Sequence, residues 1–213
     1  MVLYSIEQLY SKLSKMKNIF SFFMQVGLAL LVVYSISSCK NKTPDPADQA
    51  EKSNEAKFDN KAQEKDAEFV VKAAEINLEE IILGKLVQQK GGSSHVVALG
   101  KMLQEQHQKS MDELTILAKN KMITIPTTST ENINEAYTKL NKKTSGSEFD
   151  KAYADMMVDG HEEAIRLFEM AATDCQDTDI KSWAASKLPE LRVHLDHAIQ
   201  CKKDCEKAYS TKM

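Results

Sequence analysis

FVVKAAEINLEEIILGKLV, residues 69–87, is the stretch whose reading decides the fold. Phe69, Ala73, Ile76, Leu83 and Val87 recur at steps of four and three, with a single gap. That spacing lays one apolar stripe along a helix, the face such a helix buries against its partners. Glu80 fills the gap, a carboxylate where the pattern asks for another aliphatic side chain.

The helix around this stretch is expected from about Ala62 to Lys90, where Gly91-Gly92 breaks it. Ser93 or Ser94 then offers a side-chain oxygen to cap a second helix, running to about Lys121. This helix carries Val96, Gly100, Leu103, His107, Leu114 and Leu117 at the same spacing. A third helix, Glu148 to Thr173 with Ser147 as its expected cap, presents Phe149, Tyr153, Met157, His161, Ala164, Phe168 and Ala171. After the polar turn 174–178, a fourth presents Ile180, Ala184, Leu191, His194, Ala198, Cys201, Cys205 and Ala208. Pro189 is expected to kink it, because proline donates no amide and crowds the preceding turn.

The connection between the second and third helices is long, from Ile123 to Ser147, with a short amphipathic piece at Glu131 to Lys142. Neighbouring antiparallel helices need only ~2–8 residues between them. A connection of this length can travel the whole body before the third helix begins. The fold class is therefore all-α, a ferritin-like four-helix bundle with a long crossover connection between helices two and three.

Glu80, His107, His161 and His194 each lie near the middle of their helix. Mid-helix residues share one level of a bundle whichever way each helix points, so these four side chains are expected to meet. A buried carboxylate without a partner is costly or neutralises itself. Neighbouring imidazoles, or a cation between them, relieve that cost. Neutral imidazole and carboxylate suit a single divalent transition metal, Zn, Fe, Mn or Cu. Di-iron oxidase chemistry is not expected, because that site needs two Glu-x-x-His pairs and the nearest match here is Gln104-x-x-His107. His197 is expected on the flank of its stripe and His95 in solvent.

The amino-terminal part reads differently. Met16-Lys17-Asn18 opens a basic start, an apolar run follows from Ile19 to Tyr34, and Ile36-Ser37-Ser38 precedes Cys39. This is the pattern of a secretory signal peptide over 1–38, with Met16 a plausible true start; an uncleaved transmembrane helix over Ile19 to Ser38 is the alternative. Cys39 in that position resembles the lipobox of bacterial lipoproteins, which implies cleavage before Cys39 and its lipidation. Multiple acyl chains make a membrane anchor much firmer than one. Lys40 after the cysteine is similar to lipoproteins passed to the outer membrane, a resemblance that implies a place in the cell envelope, facing the periplasm. Residues 39–61, with Pro44, Pro46 and alternating charges, are expected to be a flexible tether reaching roughly 25 Å. The folded part is then 62–209.

Removing the residues before Cys39 leaves 25 basic and 30 acidic side chains. No basic patch with interleaved aromatics occurs, so nucleic acid has no electrostatic footprint. Cys175, Cys201 and Cys205 are an odd set for an oxidising compartment, and the stripe positions of the last two suit small buried hydrophobes, with a soft-metal pair the alternative. No phosphate loop, nucleophile elbow or acid–base pair at catalytic spacing is present.

Several pieces together resemble one bacterial family. They are Glu80 to Gly84 followed by Lys85-Leu86, Phe149-Asp150-Lys151-Ala152-Tyr153, Met157-Val158 before His161, and Leu188-Pro189 before His194. The family is labelled domain of unknown function 4142, ferritin-like and described as outer-membrane or periplasmic lipoprotein. The resemblance covers roughly Lys65 to Tyr209. It implies a four-helix bundle with the Glu and three His at the positions above, and it supplies no reaction. Family members typically have Asp immediately before the first two His, where this chain has Gln106 and Gly160. Two functions follow as expectations: a lipid-anchored envelope protein binding a metal ion or small ligand, or a structural or protein-interaction lipoprotein with no bound metal.

Overall fold

The structure, a computed structural model, describes residues 44–210. The expected signal peptide and Cys39 lie outside the described residues. Among the described residues there are six helices and no strand: α1 (Pro46–Glu55), α2 (Lys61–Lys90), α3 (Ser94–Asn120), α4 (Glu131–Asn141), α5 (Ser147–Asp174) and α6 (Thr178–Ser210). The four long helices are those read from the stripes, with ends within a residue or two. No helix among the described residues is long and apolar enough to cross a membrane.

The helix starts follow local chemistry. Asn60 accepts from the Ala62 amide at the start of α2, and Ser93 accepts from Val96 at the start of α3. Asp177 Oδ1 accepts from Asp179 and Ile180 as α6 begins. Each satisfies an amide that the helix itself leaves free. The expected Ser147 cap differs: Ser147 is the first helical residue, and Gly146, with φ 95°, makes the turn before it. Only glycine takes that backbone angle without strain. Through Pro189, α6 continues as one helix.

Two apolar cores fix the direction of every long helix. One gathers Phe69, Val70 and Ala73 of α2, Leu114 and Ala118 of α3, Phe168 and Ala171 of α5, and Ile180 and Ala184 of α6. The other gathers Leu83 and Val87, Leu99 and Leu103, Phe149 and Tyr153, and Ala198 and Cys201. So α2 and α6 start at the first core, while α3 and α5 start at the second. The chain must therefore return the full length of the body between α3 and α5. Segment 121–146, with α4 inside it, makes that return, its Leu140 seated in the second core. This is the connection whose length stood out in the sequence.

Two buried aspartates fasten the α2–α3 pair to the α5–α6 pair. Asp66 of α2 accepts from the amides of Gln176 and Asp177, in the turn between α5 and α6. Asp150 of α5 accepts from the Gly92 amide, in the turn between α2 and α3, and from the Tyr209 hydroxyl near the end of α6. Each pair thus sends one carboxylate into the other pair's turn.

The expected tether is corrected over part of its length. Residues 46–55 form α1, capped by Asp45, with Pro46 in its first turn. Ala47 and Ala50 rest on Val71 of α2. Asn54 donates to the Thr124 carbonyl and accepts from the Thr124 amide, at 2.9 and 2.7 Å. Low apolar content argued against folding, but two alanines and a two-way amide clasp are enough to seat one short helix on an existing surface.

Candidate metal centre

The polar level lies between the two cores. Along α3, His107 falls between Leu103 of the second core and Met111 of the first; His161 and His194 interrupt α5 and α6 in the same way. All three rings are buried, at 3%, 1% and 3% exposure. Their centroids stand 5.7, 5.2 and 5.4 Å apart. One ring nitrogen from each falls within 4.8 Å of the others. Three helices starting from two ends of the body therefore converge on one point.

Hydrogen bonding fixes the tautomers. His161 Nδ1 lies 2.8 Å from the Met157 carbonyl oxygen, which can only accept, so that nitrogen carries the proton. His107 Nδ1 lies 3.0 Å from Asn77 Oδ1, while the Asn77 amide donates to the Ala73 carbonyl. The amide orientation makes Oδ1 an acceptor and His107 Nδ1 a donor. Nε2 of both rings is then a bare lone pair, buried and without a partner. His194 Nδ1 is likewise buried and unpartnered, and its Nε2 stands 3.9 Å from the half-exposed Glu190 carboxylate.

Electrostatics keep the rings neutral. Burial, and then the charges His161 and His194 would carry, hold His107 well below the usual imidazole range. Burial lowers His161, and burial with His161 and His197 nearby lowers His194 to about 4. Neutral imidazole is the form that binds metal. A tetrahedral zinc with nitrogens at ~2.0–2.1 Å needs them roughly 3.3 Å apart, a separation inside the 4.8 Å that bounds these atoms.

Glu80 is buried at 6% exposure but stands outside the group of three. Its Oε1 lies 4.0 Å from His161 Nδ1, the nitrogen already committed to Met157, and its Oε2 has no partner. Burial first, and then Glu79, push its carboxyl up to about 8. The stripe placed Glu80 at the right level. It could not show that the carboxylate reaches the Nδ1 side of His161, away from the bare lone pairs.

Two site residues escaped the sequence reading. Asn77, three residues before Glu80, orients His107; its place one turn along the face of Glu80 was a usable signal. Tyr153 was read only as core, yet its hydroxyl is buried without a partner, and burial with Glu80 nearby raises its pKa well above the usual phenol value. His95 and His197 are both exposed and line a separate shallow groove with Asp196 and Asp204. Cys175, Cys201 and Cys205 are free and buried. Burial pushes the Cys175 thiol up to about 12, which makes it unreactive.

A family model described as a domain of unknown function (DUF4142) matches residues 51–201. No curated protein and no solved structure matches the chain.

Proposed function

The chain belongs to the domain of unknown function 4142 family, and from that premise we propose that it is a lipid-anchored protein of the cell envelope that holds one divalent transition-metal ion. The ligands are His107, His161 and His194. The observation that carries this reading is three buried, neutral rings, each with an unpartnered nitrogen, that bring one ring nitrogen apiece within 4.8 Å of one another. Three buried imidazoles that each leave a ring nitrogen without a hydrogen-bond partner are an expensive way to fill a core and an economical way to hold an ion. Glu80, with its unpartnered oxygen, stands beside the ion rather than on it.

The scaffold is a ferritin-like four-helix bundle built of α2, α3, α5 and α6, with α4 lying in the crossover. The helix directions set by the two cores support that reading. Attachment is through acylated Cys39, supported by the signal-like run and the small residues before it; the outer membrane, facing the periplasm, is supported by Lys40.

Elemental analysis of protein purified without added metal tests the ion. The parent should carry about one transition metal per chain, and His107→Ala and His161→Ala should each lose it. A metal-free parent with unchanged folding would favour a purely structural or interaction role.

A further inference from the structure

Glu80 also lines a cleft of about 390 Å³ between α2, α4 and α5, in whose wall none of the three imidazoles takes part. Four carboxylates line it, Glu75, Glu79, Glu80 and Glu163, against one lysine, Lys72. Lys72 is exposed at the rim, and its charge also acts on Glu51. The rest of the wall is largely apolar, with Ile76, Ile133 and Leu167 among its side chains.

Two oxygens of the residues that line this cleft lack donors. Glu80 Oε2 is buried without a partner on a side chain that is 8% exposed, and Glu75 Oε1 is buried without one as well. Glu80 faces the cleft across Gly160, where a Cβ would lie 4.0 Å from Glu80 Oε1. Burial, followed by Glu75 and Glu163, raises Glu79 above the usual carboxylate range. Glu79 is thus crowded by the carboxylates on either side of it.

We infer that this cleft is a binding site for a linear aliphatic amine bearing two or more ammonium groups. The excess of carboxylate selects a cation. An ammonium brings three donors, which meet the unpartnered oxygens of Glu75 and Glu80. The volume falls in the range of small organic ligand sites and far exceeds a bare ion. The isoleucine and leucine wall offers contact to a methylene chain and nothing to a hydrated metal. The half-buried Glu75 of α2 and the exposed Glu163 of α5 place carboxylates on two walls of the cleft, which suits a ligand with more than one ammonium. This site is separate from the three imidazoles and does not depend on their holding a metal.

Calorimetric titration of the full-length chain with spermidine, at low salt, tests it. The expected result is saturable uptake of one spermidine per chain. The double variant Glu75→Gln/Glu79→Gln should weaken uptake roughly tenfold or more, as expected when charge-assisted hydrogen bonds are removed. Gly160→Leu should weaken it as strongly, because it fills the cleft while leaving every charge in place. The triple variant Glu55→Gln/Glu105→Gln/Glu206→Gln, which removes exposed charge elsewhere, should bind as the parent does. Thermal melting shows whether each variant is folded before it is titrated. No saturable uptake by the parent, or undiminished uptake by folded Gly160→Leu, overturns the inference. Displacement of spermidine by magnesium chloride at equal concentration overturns the organic ligand.

Discussion

At the scale of single residues, three neutral imidazoles and one neutral carboxyl share a buried level, and their titrations pull stability in opposite directions. His194 is held to about 4 against 6.5 when unfolded, with His107 and His161 also lowered. As pH falls through that window the unfolded chain takes protons that the folded chain refuses, so stability is lost toward acid. Glu80 is raised to about 8 from 4.5. Across its window the folded chain keeps a proton the unfolded chain releases, so stability is lost as pH rises. Each fully engaged group contributes about 1.4 kcal/mol per pH unit. Below 6.5 the three histidines outweigh the one carboxyl; above it Glu80 acts without their opposition. Urea midpoints of the metal-free chain should therefore peak near pH 6.5, and Glu80→Gln should flatten the decline between 6.5 and 8. A stability that climbs steadily from 6.5 to 8 in the parent would contradict these environments. The rings were legible in the sequence because helical spacing assigns a side chain to a face and a level. The hydrogen bonds to Met157 and Asn77 were not, because rotamer and tautomer leave no periodic trace.

At the scale of elements, two glycines test the packing with opposite signs. α2 and α3 approach so closely that a Cβ on Gly84 would meet the Gly100 carbonyl at 2.6 Å, and one on Gly100 would meet Val87 Cγ1 at 1.8 Å. Val87 is fully buried and has little room to yield. Gly100→Ala should cost about 1–3 kcal/mol, the usual range for overpacking, and Val87→Ala in the same chain should recover part of it. Gly160 sits in α5 beside the open cleft, so Gly160→Ala should gain about 0.5–1 kcal/mol from helix propensity alone. Chemical denaturation of the three variants checks both signs. Equal effects at the two positions would mean that the α2–α3 contact is looser than described. Sequence reading placed Gly100 in a stripe and Gly84 in a motif, but pairing them needs the relative rotation of two helices. The clasps of Asp66 and Asp150 were hidden for the same reason. Each links residues that are neighbours only after both helix pairs have assembled.

At the scale of the whole molecule, the long connection was the most informative feature of the sequence, because it bounds topology directly. Helices α3 and α5 start at the same end, and a chain that must travel back between them needs the residues of 121–146 to do it. Composition was the least informative guide: it read 39–61 as a tether, yet α1 is held by Asn54 on Thr124, a contact some seventy residues distant in sequence. Tertiary partners decide the state of so short a segment. The same long-range convergence underlies the proposed function, since the three imidazoles come from helices that enter the site from both ends of the body. Crystals grown with one equivalent of zinc, with anomalous diffraction recorded at the zinc edge, test that convergence most directly. The account predicts a single strong peak bonded to one nitrogen from each of His107, His161 and His194, at about 2.0–2.1 Å. No peak between those rings, or a peak only on exposed His95 or His197, would contradict it.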